Sequence, residues 1–259
     1  MQMETIDNNT PYLSASDLER IAYQTLKGYD DTLLERPQPL NIDRFAERHL
    51  KLHLDYVNLS NNDSILGMMV FSDSAIPVFD PELNAPKIIQ AKAGTALIER
   101  SLMDNNKKTR ARFTIAHECA HWLLHRPAIR TKSIVCRTVG RSAVKDWPEW
   151  QADALASALL MPAVAVQAYM KHYISENRQS MIAMYDMYGE RYAIAKRDQI
   201  IRIVSYVFDV SKQAAESRLI RLRFLQKKEP PLAPMSSMAA GARIPIPGMV
   251  YDEDNPFII

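Results

Sequence analysis

The residues with the most chemical meaning are the run His117-Glu118-Cys119-Ala120-His121. On a helix, positions i and i+4 lie on one face about one turn apart. Two imidazoles placed this way can converge on a single small cation. Glu118 follows the first imidazole directly, so it flanks the cation without having to bind it. Hydrolysis needs this arrangement. A zinc ion lowers the pKa of its bound water toward about 7, and a nearby carboxylate takes the proton as the water attacks a carbonyl. Histidines on a half-buried helix are also often held by hydrogen bonds alone, so the reading calls for a further ligand.

A catalytic zinc takes three protein ligands and keeps one position open. Glu149 opens the next helical segment, and Asp153 follows it at i+4 on the same face. In this reading Glu149 is the third ligand. Asp153 accepts the other N–H of a ligand histidine and so fixes its ring. By themselves, two such acids would mark an exposed helix face. His125 is set aside as a ligand, because eight residues of helix carry it about 12 Å beyond His117. The longer pattern H-E-x-x-H-x-x-G-x-x-H would put its third histidine at 127, which is Pro127. His125 then either lines the cleft or packs. Cys119 reads as a small buried apolar residue. Cys136 reads as a loop cysteine between the two metal-bearing helices, and Trp147, Trp150 and Tyr192 as packing residues.

Helices and a sheet must hold these groups in place. Residues 14–34 carry Leu18, Ile21, Ala22 and Leu26 at helical spacing, with Ser14 or Ser16 as the cap. Pro37 and Pro39 break the chain, and Asn41 can cap a second short helix over 42–50. Strands are expected at 50–59, 65–71, 75–79, 87–91 and 95–102, separated by turn-forming clusters. The spacing predicts a helix over 107–125, stopped by Pro127, and another from Glu149 that ends before Pro162. Further helices run to about 225, with Ser211 capping the last. The expected fold is α+β: a small antiparallel-type sheet with the two metal-bearing helices, followed by a mainly helical C-terminal part. Three segments follow: a catalytic core over 1–175, a helical subdomain over 176–228 and a Pro-rich extended tail over 229–259. An extended tail has the shape a peptidase cleft accepts, which suggests an arm that restrains access.

The 259 residues, 24% charged and 47% hydrophobic, are ordinary for a globular chain. A net charge of +2 gives no electrostatic case for a nucleic-acid partner. Two cysteines make no disulfide framework and favour a reducing compartment. There is no secretory h-region and no apolar run of about 20 residues, so a cytoplasmic protein is expected.

The stretches RFTIAHECAHWLLH (112–125) and EWQADALASALLMP (149–162) resemble the ImmA/IrrE family of zinc metallopeptidases. The family has an R-F-T-x-A-H-E-x-x-H helix and then a Glu-led helix closing on L-L-M-P. Weaker similarity reaches upstream into 39–50 and downstream into 207–222. Ala120 stands where the family usually has Gly, and Cys119 where it has a large aliphatic residue. Both changes concern packing and leave the ligands intact. The resemblance implies a gluzincin-like core that cleaves a protein substrate, often a helix-turn-helix transcriptional repressor whose loss releases gene expression under stress. Under that reading residues 95–102, just before the active helix, are the sheet edge that pairs with substrate. The competing reading is a non-catalytic regulatory module that contacts a repressor or DNA. Arg197, Arg202, Arg218, Arg221 and Arg223 of the C-terminal helices would supply positive charge, although DNA binding fits poorly with the near-neutral chain.

Overall fold

The computed structural model describes residues 5–6, 10–126, 134–137 and 147–227. The expected tail over 229–259 lies outside these. The chain forms two compact units divided between Ala165 and Val166.

Unit one opens with two short paired strands, β1 (Thr5–Ile6) and β2 (Thr10–Pro11). Helix α1 (Ala15–Tyr29) follows, and Ser14 rather than Ser16 caps it in a reciprocal capping box with Asp17. The expected 14–34 helix is interrupted at Asp30, and a separate turn, α2, covers Thr32–Glu35. Asn41 caps α3 (Ile42–Arg44) as expected, but the helix then widens into a π-helical turn over Phe45–His49.

Strands β3 (His53–Val57), β4 (Ile65–Val70), β5 (Ser74–Asp80), β6 (Ala85–Ala91) and β7 (Thr95–Glu99) come next, and β8 (Ile134–Arg137) joins later. They form a four-stranded sheet in the order β3-β7-β4-β8 and a separate β5-β6 hairpin. The fold is α+β, but the sheet is mixed. β3 and β7 run parallel, while β4 is antiparallel to both β7 and β8. A parallel pair needs a connection of a dozen or more residues, and the segment between β3 and β7 supplies it.

Two sequence-based placements change here. Residues 95–99 are not a sheet edge: β7 lies between β3 and β4, and all five of its residues are buried. A run as continuously apolar as Ala96-Leu97-Ile98 suits a strand covered on both faces. Cys136 is not in a loop either, since it sits in β8 opposite Gly67.

Side chains alternate across the sheet. Met68, Val70 and Leu97 point to one side, where they join Ile76, Val78 and Ala91 of the hairpin and Leu59 in one apolar cluster. The opposite side, which carries Gly67, Met69, Ala96 and Ile98, faces α4 (Lys108–His125). Helix α5 (Trp147–Leu160) packs against both α4 and α1. Helix α6 (Ala163–Tyr188) contains the division between the units.

In unit two, α7 (Glu190–Val207) packs on α8 (Lys212–Arg221), which Ser211 caps as expected. Arg218 is fully buried, and buried Arg197 donates to Glu216 and to the Gln226 carbonyl. These two of the five arginines therefore serve packing within the unit. Among the described residues no single helix is long and apolar enough to cross a membrane.

Leu97 is fully buried at the centre of the sheet, in register with Met68. Leu97→Ala is expected to cost about 2–5 kcal/mol of stability, read as a lower midpoint in urea unfolding.

Candidate metal centre

Helices α4 and α5 bring the chemically interesting residues together. Both carry fully buried alanines (Ala116 and Ala120, Ala152 and Ala156), which allow the two backbones a close approach. α5 begins at Trp147, so Glu149 sits in its first turn. Trp147 and Trp150 pack edge-to-face against each other, as expected of packing residues.

His117 Nε2 and His121 Nε2 are 2.9 Å apart. Glu149 Oε2 is 3.2 Å from the first of them, and its Oε1 is 3.3 Å from the second. Donor atoms of the three residues all lie within 4.8 Å of one another. Asp153 Oδ1 lies 3.0 Å from His117 Nδ1. With its proton on Nδ1, donated to Asp153, His117 would keep Nε2 free to face a metal ion.

This donor set fits a metal ion. Two imidazole nitrogens and a carboxylate oxygen facing one another at these distances need a proton or a metal ion between them. Donors about 2.0–2.2 Å from a tetrahedral zinc lie about 3.3–3.6 Å apart; the Glu149 separations of 3.2 and 3.3 Å are close to this, and the imidazole pair at 2.9 Å is tighter. Glu118 adds a second indication. It is fully buried, and neither of its carboxylate oxygens has a hydrogen-bond partner among the described residues. Orphaned buried carboxylates are costly and usually mark a functional group.

Electrostatics separates the two glutamates. Burial pushes the Glu118 carboxyl up to about 8, against an opposing pull from the His117 imidazole. For Glu149 burial also works against ionisation, but the facing His117 and His121 imidazoles outweigh it and hold the carboxyl well below the usual range. Burial lowers His121 to about 4, which keeps it a neutral imidazole able to act as a ligand. Cys119 is buried, and burial pushes its thiol up, so it stays protonated and unreactive.

Three further residues belong to this site. Gly67 in β4 abuts Glu118, and a methyl group there would overlap the Glu118 carboxylate and crowd the Thr114 methyl. The β4-β8 register shifts between Ile65 and Gly67, so the glycine lies at an irregularity of the ladder. An isolated glycine within the apolar run ILGMMVF is the sequence signal for such a close approach. His125 is fully buried, with Nδ1 2.9 Å from His121 Nδ1. It therefore packs behind a candidate ligand and does not line the cleft. Its Nε2 is 3.2 Å from Oε1 of Gln151, also fully buried. The sequence signal for Gln151 is only its position between Glu149 and Asp153.

Residues 101–219 match the model of a peptidase family described as the IrrE N-terminal-like domain. The matched span includes α4 and α5 and ends within α8. No curated protein matches the chain.

The raised Glu118 carboxyl gives a pH signature in the metal-free protein. Its folded value of about 8 lies above the ordinary 4.5. Stability from this group is complete below the ordinary value and is lost as pH rises through the folded one. Across that window the penalty grows by about 1.4 kcal/mol per pH unit while only the unfolded chain ionises. Glu118→Gln removes the dependence. In metal-free samples the melting temperature of wild type is expected to fall steadily relative to Glu118→Gln between about pH 5 and pH 8. Parallel curves would show that Glu118 is not held in its neutral form. Gly67→Ala is expected to displace Glu118 and reduce any hydrolytic activity at least tenfold, with metal stoichiometry unchanged by elemental analysis.

Proposed function

We propose, for a chain whose residues 101–219 match the IrrE N-terminal-like peptidase domain, that it is a cytoplasmic zinc endopeptidase of the ImmA/IrrE family that cleaves a protein substrate. The observation that carries the reading is the convergence of His117, His121 and Glu149 beside the buried, unpartnered carboxylate of Glu118. Two imidazoles and one carboxylate are the ligand set of catalytic zinc sites of the two-His, one-Glu type. A zinc ion held there would act as a Lewis acid toward the scissile carbonyl and acidify its water ligand.

The protein's own residues supply the rest. His117 and His121 each present Nε2, and Glu149 closes the donor set from α5. Asp153 holds the His117 ring in the required tautomer. Glu118 is the general base. A carboxyl raised to about 8 by burial, and pulled down again by nearby positive charge, is poised to exchange protons near neutral pH. Once protonated it can deliver its proton to the leaving amine.

The substrate is an extended segment of a protein, and the family points to a helix-turn-helix transcriptional repressor cut under stress. β8 is the outer strand on its side of the sheet among the described residues, next to β4 and in contact with α4. It is the edge on which an extended chain can add by main-chain hydrogen bonds.

Glu118→Gln is expected to retain zinc and lose at least 100-fold in cleavage of a candidate repressor. Full activity in that variant removes Glu118 as the base. Glu149→Ala is expected to lower bound zinc, measured by elemental analysis after dialysis. Unchanged stoichiometry and affinity take Glu149 out of the ligand set.

A further inference from the structure

The two histidines of the candidate site are braced differently. His117 Nδ1 meets Asp153, whose side chain is 43% exposed. His121 Nδ1 meets His125 Nδ1 at 2.9 Å, and His125 Nε2 meets Gln151 Oε1 at 3.2 Å. His121, His125 and Gln151 are all fully buried.

The proton positions along this line follow from one another. If His121 offers a bare Nε2 to a metal, its proton is on Nδ1 and is donated to His125. The accepting nitrogen, His125 Nδ1, is then bare. The His125 proton is on Nε2, and a donor there requires an acceptor, which is the amide oxygen of Gln151. The opposite orientation of the Gln151 amide would reverse every link and leave a proton on His121 Nε2, where a cation would have to sit. A doubly protonated His125 fails too, because two N–H groups would face each other across 2.9 Å.

Resting on the metal reading above, we propose that His125 and Gln151 form a buried relay of neutral groups that positions His121. The relay locks His121 in its Nδ1–H tautomer and aims its bare Nε2 at the metal. Neither residue touches the ion or the substrate, so both are positioning residues. One ligand is therefore braced by a carboxylate that reaches solvent, and the other by an imidazole and an amide sealed from it. Removing the acceptor at the end of the relay should weaken metal binding even though no ligand is changed. Partners of this kind are worth about 10–100-fold in metal affinity.

Two measurements test the relay. In the zinc-loaded full-length protein, a long-range proton–nitrogen correlation spectrum should show His125 protonated at Nε2 and bare at Nδ1. Protonation of His125 at Nδ1 overturns the relay, and this readout needs no variant. Zinc affinity is then measured by competition with a chromophoric chelator in wild type, Gln151→Met and His125→Phe. Both variants are expected to bind one zinc at saturation, with affinity reduced about 10-fold or more. A wild-type chain that binds zinc while both variants keep its affinity overturns the relay and leaves the metal reading standing. A wild-type chain that binds no zinc overturns both.

Discussion

The crowding of three polar ligand-type groups into one small space is the constraint on which the rest of this site depends. His117 Nε2, His121 Nε2 and the Glu149 carboxylate lie within 3.3 Å of their neighbours. No apolar packing force would gather them, and each would be better solvated apart. They are together because two helices are pinned by other means. α4 is held against the inner face of the mixed sheet, and α5 is held against α4 and α1. The apolar surface buried by this scaffold outweighs the local cost, and a bound cation would turn that cost into a gain.

The same scaffold explains why Glu118 is buried without a partner. It lies on the sheet side of α4, opposite Gly67 of β4. A larger residue there would push the carboxylate away, while a hydrogen-bond donor would satisfy it and end its use as a base. A glycine does neither. It leaves Glu118 close to the backbone, dry and unpaired, and that keeps its proton affinity in a useful range.

Different parts of this arrangement were legible in the sequence to different degrees. His117, Glu118 and His121 follow from helical spacing alone, since i and i+4 must share a face. Asp153 could be placed beside Glu149 by the same rule, but bringing Glu149 to the histidines depends on how α5 packs, and the sequence offered only the need of a catalytic zinc for a third ligand. The caps at Ser14, Asn41 and Ser211 are local chemistry and were readable. The place of β7 in the sheet was not, because strand order depends on partners distant in the chain. Gly67 was visible only as a break in an apolar run. Gln151 carried no pattern, because a polar residue destined for full burial looks like any other until its partner His125 is in place.

The uneven exposure around the donor set has a kinetic consequence. Glu149 and Asp153 are 29% and 43% exposed, whereas His117 and His121 are 3% and 0% exposed. Among the described residues, the open side of the donor set is the one that carries the α5 carboxylates. An ion held here would meet Glu149 as its most exposed ligand and His121 as its most sheltered one. A chelator would then reach a bound ion at Glu149 while both imidazoles still hold it, and its size and charge at that mouth would bear on the rate of removal.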